Sequence, residues 1–320
     1  MGLDANSIAP ARRLTPARKF FKDVYHYRAL LFMLLPGLAI FVLFSYLPMF
    51  GIIIAFKKID FSKGILGSPF VGLENFRFLF ATTDAWRITR NTILYNLLFI
   101  FCDVFFAVAI SVLMREIWQK AASKLYQTLI ILPHFLSMVV VAYLVYGFLN
   151  PQYGFINMTL QKLGFETENW YYEVKYWPFI IPFVHWWKSL GYKSVVYLAS
   201  IAGIDKELYE AAVIDGAGKW AQAWNITIPQ LTSTMVIMFL LALGGIFRAD
   251  FGLFYQVPMN STMLYEATDV IDTYVYRALT TMNNIGMSSA ASVYQSVVGA
   301  VTLIVANLIV RKIDSTQALF

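Results

Sequence analysis

Long stretches without a single Asp, Glu, Lys or Arg dominate the chain. None occurs between Arg28 and Lys57, Lys124 and Lys162, Lys219 and Arg248, or Arg277 and Arg311. A helix needs about 20 apolar residues to cross a bilayer, and each gap holds that many. Two further apolar runs carry a few charges: Arg90 to Met114 encloses Asp103, and Trp177 to Ala202 encloses Lys188 and Lys193. The pattern predicts an all-α, polytopic membrane protein. Its six transmembrane helices fall near residues 29–56, 88–114, 125–149, 177–202, 230–254 and 287–310.

Basic residues set the orientation. Arg12, Arg13, Arg18, Lys19, Lys22 and Arg28 precede the first span, Arg115, Lys120 and Lys124 separate the second from the third, and Arg311 and Lys312 follow the last. The positive-inside bias puts both termini in the cytoplasm, together with the segment between spans four and five. Lys57, Lys58, Lys63 and Arg77 in the first outer loop weaken the bias without reversing it. Three parts follow: a cytoplasmic segment 1–28, a six-helix transmembrane domain 29–310 with a cytoplasmic loop at 203–229, and a tail 311–320.

Composition agrees. The chain is 59% hydrophobic and 14% charged, against about a quarter charged in soluble domains. The net charge of +6 is membrane orientation rather than a nucleic-acid footprint. The first apolar run begins too late and runs too long for a cleavable signal peptide. The single cysteine, Cys102, excludes an internal disulfide. The scattered histidines have no metal-ligand spacing.

Thr15 as N-cap and Pro16 behind it predict an interfacial helix over 15–28, with Phe20, Phe21, Val24 and Tyr25 on one face. Phe76, Leu79 and Phe80 predict a short amphipathic helix after the first outer turn. Trp170, Tyr171, Tyr172, Tyr176 and Trp177 suit an interfacial aromatic belt.

The segment EAAVIDGAGKWAQAWNITIP, Glu210 to Pro229, interrupts this apolar plan. Its GAGK resembles the end of a phosphate loop, but the early glycine is Val213 and the hydroxyl position is Trp220, so the requirements of that loop fail. Leu208, Ala211 and Ala212 instead offer a narrow, small-residue face, and Gly216 permits the left-handed conformation that ends a helix. Pro229 is expected in the first turn of span five. The result is a knob for a partner to grip.

The pattern Glu210-Ala211-Ala212, Gly216, Ile226 and Pro229 resembles the signature of permease subunits of bacterial binding-protein-dependent ABC importers. Ile228 stands where that family usually has Leu. LPGLAIFVLFSYLPMFGIIIAFK, GSPFVGLENF and DVIDTYVYRAL resemble its carbohydrate branch, the polysaccharide and complex-glycan permeases. The resemblance implies that Glu210, Ala211, Ala212, Asp215, Gly216, Ile226 and Pro229 dock into a cytoplasmic ABC ATPase dimer. ATP and Mg would bind there, with no cofactor on this chain. It further implies a second homologous permease, an extracellular solute-binding protein and an oligosaccharide cargo, in a bacterial cell membrane.

Ionisable groups inside a span are costly and mark default site hypotheses. His185, Trp186, Trp187 and Lys188 combine aromatic faces with polar groups, as a sugar site requires. With Arg248 and Asp250 they are the candidate substrate path, and Lys188 is placed to pair with Asp103. Glu266, Asp269 and Asp272 are candidates for docking the binding protein, although Asp269 and Asp272 also suit bracing of a short helix before span six. A membrane-embedded glycosyl- or lipid-transferase is the alternative to a transport subunit, yet no catalytic cluster accompanies the acidic pair. A proton-coupled carrier leaves the Glu-Ala-Ala segment unexplained.

Overall fold

The computed structural model describes residues 24–77, 81–117, 120–314 and 317–319. Most of the expected interfacial helix at 15–28, and Leu79 and Phe80 of the expected outer helix, lie outside these residues. Among the described residues all named elements are helical. The chain divides into two compact units, Met1–Ile53 and Ile54–Phe320.

Helix α1 is the apolar run Arg28–Phe56. It is α-helical to Phe41 with Pro36 inside, then passes through a π turn at Val42–Tyr46 and 3₁₀ turns from Leu47. The principal helices of the second unit are α2 (Thr83–Arg115), α3 (Lys120–Ile131), α4 (Met138–Leu149), α5 (Phe155–Lys162), α6 (Trp177–Ala202), α7 (Lys206–Ile214), α8 (Lys219–Gly244), α9 (Phe251–Gln256), α10 (Ile271–Thr280) and α11 (Ile285–Ile313).

Four of these runs, α1, α2, α8 and α11, are long and apolar enough to cross a membrane. The expected third span is bent: α3, extended through Phe135, meets α4 at 98°. Pro133 sits in the 3₁₀ turn Leu132–Phe135 at the bend, and Ser137 caps α4 by accepting from the Val140 N–H. The expected fourth span is the continuous helix α6. Its 26 residues reach about 39 Å at 1.5 Å per residue, but Lys188 and Lys193 make it more polar than the others.

Span five differs at both ends. It starts at Lys219 rather than at Pro229, and the helix continues through a π turn at Ala223–Thr227. Proline lacks the N–H that a regular ladder needs, and the wider turn immediately before Pro229 accommodates that loss. The helix then ends at Gly244, not near 254. Residues 245–250 are irregular, and side chains from three helices satisfy their backbone. Asn96 donates to the Ile246 and Arg248 carbonyls at 2.9 and 3.0 Å, and Gln295 to the Phe247 carbonyl at 2.7 Å. Asp272 accepts from the Ala249 N–H at 2.7 Å. Non-helical backbone away from water requires such partners.

Helix α2 packs along α6, and α11 against α8 and α10. At Gly191 of α6 the α3 backbone comes so close that a Cβ would lie 2.0 Å from the Ile130 carbonyl oxygen. Only glycine fits there. The largest core joins α4, α6, α9 and the loops around them, with Val141, Trp177, Ile181, Leu253, Val257 and Leu264 fully buried.

Candidate functional site

Asp205 caps α7 by accepting from the Glu207 N–H at 3.0 Å. The helix ends where the Ala217 N–H reaches back to the Ala212 carbonyl at 2.8 Å, with Gly216 between them at φ +78°. That is the left-handed closure expected of a helix C-terminus. Glu210, Ala211, Asp215 and Gly216 are exposed and Ala212 half-buried. Around them Val213, Ile214, Trp220 and Trp224 project large apolar side chains, Ile214 being 87% exposed. An apolar patch of this kind marks an interaction surface. Ile226 is half-buried inside the π turn, and Pro229 is exposed on α8. They shape the base of the knob.

Residues outside the signature hold the knob in place. Tyr209 is buried beneath the Arg115 guanidinium, 3.6 Å from its ring centre, and its hydroxyl lies 3.0 Å from Thr227 Oγ1. Gln222, also buried, donates to the Ala217 carbonyl at 3.0 Å. Glu116 pairs with Arg115 at 2.8 Å and Lys219 at 2.9 Å, joining the end of α2 to the start of α8. The sequence carried one available signal, the single aromatic residue in Lys206–Ile214, which sits on the helix face opposite solvent.

The intramembrane cluster is arranged differently from the expected one. Asp103 pairs with Lys193 and with His185, the latter at 3.2 Å, whereas Lys188 donates to the His134 carbonyl at 2.9 Å. The expected Lys188–Asp103 pair is therefore replaced by Lys193–Asp103. Phe99 and Asp103 are one turn apart on α2, and the Phe99 ring stacks on His185 at 3.9 Å. Trp186 meets Phe106 edge-on at 5.4 Å. Trp187 is 43% exposed, whereas His185 and Trp186 are half-buried.

Asp103→Asn should destabilise the protein by about 2–3 kcal/mol, below the usual range for a broken buried pair because Lys193 keeps 30% exposure. Thermal unfolding in detergent measures this. Adding Lys193→Met should recover most of the loss, and no recovery would contradict the pairing.

Arg248 and Asp250 lie in the irregular segment after α8, both exposed. Arg248 donates to Ser296 Oγ at 2.9 Å, and Asp250 caps α9 through the Leu253 N–H at 3.1 Å. Next to Asp250 stands an aromatic trio that sequence reading missed. Phe251 lies 4.9 Å from both Tyr255 and Tyr276, and Tyr276 is 39% exposed. The trio joins α9 to α10, a contact between segments that no local spacing reveals.

Of the docking candidates, only Glu266 is exposed. The Asp269 side chain is 0% exposed and bridges Arg277 at 2.6 Å and Arg87 at 3.3 Å, while Thr273 donates to it at 2.8 Å. Asp272 faces the 245–250 segment, where burial pushes its carboxyl up against the opposing hydrogen bonds from Ala249 and Gln295. Both carboxylates are thus spent inside the fold. These contacts fit the bracing role considered for the two residues and leave Glu266 as the exposed docking candidate.

Residues 79–315 match the family described as the binding-protein-dependent transport system inner membrane component. The chain belongs to this family. It is an integral membrane protein and a transport subunit, not itself an enzyme. The permease is 32% identical to Protein LplB of Bacillus subtilis (strain 168), over 88% of each chain. It is 35% identical to the polygalacturonan/rhamnogalacturonan transport system permease protein YteP of the same organism, over 88% of this chain and 87% of that one. Among solved structures it superposes on a bacterial ABC transporter involved in import of the acidic polysaccharide alginate. The TM-score is 0.84 at 31% identity, over 92% of this permease and 99% of that chain. A bacterial alginate transporter in complex with an alginate pentasaccharide-bound periplasmic protein gives 0.83 at 31% identity, over 92% and 98%.

Proposed function

We propose that this permease, with a second homologous permease, forms the path by which an oligosaccharide or complex glycan enters a bacterial cell. An extracellular solute-binding protein delivers the cargo, and a cytoplasmic ABC ATPase dimer, which binds ATP and Mg, drives its passage. The observation that carries this reading is the exposed Glu210-Ala211 helix, closed by Gly216 at φ +78° and ringed by unpartnered apolar side chains. It fits a cleft on a partner better than it fits lipid or solvent. The relatives named for polygalacturonan, rhamnogalacturonan and alginate support a glycan cargo.

In this topology both termini and residues 203–229 face the cytoplasm of a six-span protein in the cell membrane. The loops at 57–87, 150–176 and 255–286 form the outer landing surface, with Glu266 exposed upon it. Trp187, Arg248 and Asp250 line the path.

The reading is tested by purifying the chain with its neighbouring transport genes' products and measuring uptake of labelled oligosaccharides in proteoliposomes. The complex should contain the ATPase and import glycan only with binding protein and ATP. Within it, Trp187→Ala should cut uptake roughly threefold to tenfold, the worth of one aromatic stack. Assembly and basal ATP hydrolysis should persist. Loss of the complex would assign Trp187 to helix packing instead.

A further inference from the structure

We propose that the cleft beside α7 binds an anionic phospholipid of the inner leaflet, placing a lipid headgroup against the coupling segment. The cleft has a volume of about 690 Å³ and is walled by the ends of α2 and α6, the first half of α3, and α7. Arg115, which Glu116 already pairs, lines it with Lys124 and Lys206, against one lining carboxylate, Glu210. Lys124 and Lys206 form no ion pair among the described residues. Ser123 and Gln127 add a hydroxyl and an amide to the same wall. Cations without carboxylate partners, beside hydrogen-bond donors, suit a phosphodiester.

The apolar continuation selects a lipid over a soluble phosphate. A second cleft of about 420 Å³ shares Lys124 and Gln127 with the first and runs past Ile131 and Leu132 to Phe135. Leu132 and Phe135 are 55% and 77% exposed, so an apolar chain laid there covers open surface. Lys124 to Phe135 spans roughly 18 Å along the helix, from about 1.5 Å per α-helical and 2.0 Å per 3₁₀ residue. One leaflet's hydrocarbon is about 15 Å thick. Headgroup and the upper part of an acyl chain are therefore matched by one groove, charged and polar from Lys124 to Thr128 and apolar from Ile131 to Phe135. The Arg115 guanidinium that stacks on Tyr209 also lines the headgroup end, so occupancy bears directly on the seat of the knob.

The intact importer is purified in detergent and titrated with phosphatidylglycerol, or with phosphatidylcholine of the same acyl chains. Retained lipid is read by native mass spectrometry. Phosphatidylglycerol should be retained preferentially. Each lysine near an anionic lipid is worth about fivefold, so Lys124→Gln with Lys206→Gln should weaken its retention about 25-fold. Millimolar inorganic phosphate should not displace it. Equal retention of both lipids, or unchanged retention by the double variant, overturns the proposal. Displacement by phosphate overturns it as well, leaving a soluble-anion pocket. If the double variant fails to assemble, the wild-type complex decides through phosphatidylglycerol with a photoreactive acyl chain. Cross-links within Lys124–Phe135 support the site, and cross-links confined to other segments overturn it.

Discussion

Gly216→Val should abolish transport while leaving the permease folded in the membrane. Gly216 holds φ +78°, and a Cβ there would meet nothing within 4 Å, so the penalty is one of backbone conformation alone. That penalty is about 1–2 kcal/mol for an L-residue, more for a β-branched one. It is small beside the stability of the whole bundle but large for a nine-residue helix whose end depends on the Ala217-to-Ala212 hydrogen bond. The expected consequence is a reshaped knob on an intact base, because Tyr209, held by Arg115 and Thr227, anchors the segment independently of Gly216. Uptake and recovery of the ATPase in a pull-down should both fall to background, with membrane insertion normal. Glu210→Lys, which reverses an exposed charge without touching the fold, should also weaken ATPase recovery. Wild-type recovery by both variants would remove Glu210–Pro229 from the coupling interface.

Asp269→Asn should instead cost the protein its assembly. The carboxylate is fully buried and neutralises two guanidiniums, with Arg277 14% and Arg87 30% exposed. Removing one partner from a buried ion cluster costs about 3–5 kcal/mol, because a charge is left behind with little water and no counter-ion; here that charge is Arg277. Arg87 keeps Asp84 at 3.0 Å, but among the described residues Arg277 is left with its stack over Tyr265 and no other carboxylate. The backbone is bound into the same knot, since Asn91 donates to the Asp269 carbonyl at 3.0 Å and Thr92 accepts from the Ile271 N–H at 3.0 Å. Fluorescence-detected size exclusion should show loss of the monodisperse complex. A variant that assembles normally but loses stimulation by the binding protein would return Asp269 to the docking surface.

The contrast between these two residues separates what was legible from what was not. The coupling segment is local: its cap Asp205, its small face and its terminal glycine lie within a dozen residues, so spacing alone exposes it. Asp269 and Asp272 were visible as acidic residues of an outer loop, and a loop carboxylate ordinarily faces water. Their burial depends on Arg87 and Asn91 of α2, some 180 residues earlier in the chain, and on Gln295 of α11. No pattern in a single sequence links those positions. The same holds for Asp103, where two lysines and a histidine of α6 compete for one carboxylate, and only the rotation of α6 against α2 selects Lys193 and His185 over Lys188.

The sequence by itself determined that the chain is helical and built for lipid, where its apolar runs lie, and that a short capped helix closed by Gly216 follows residue 203. These properties follow from composition and short-range periodicity, because each apolar helix satisfies its own backbone and must bury about 20 residues in hydrocarbon. Tertiary structure set the 98° angle at Leu132–Phe135, where Pro133 breaks the ladder locally and Lys188 holds the His134 carbonyl, and it decided the early end of α8 at Gly244 and the irregular 245–250 segment. Each of these leaves backbone groups outside a regular ladder. They persist because side chains from distant helices, Asn96, Asp272 and Gln295 around 245–250, supply the missing hydrogen bonds.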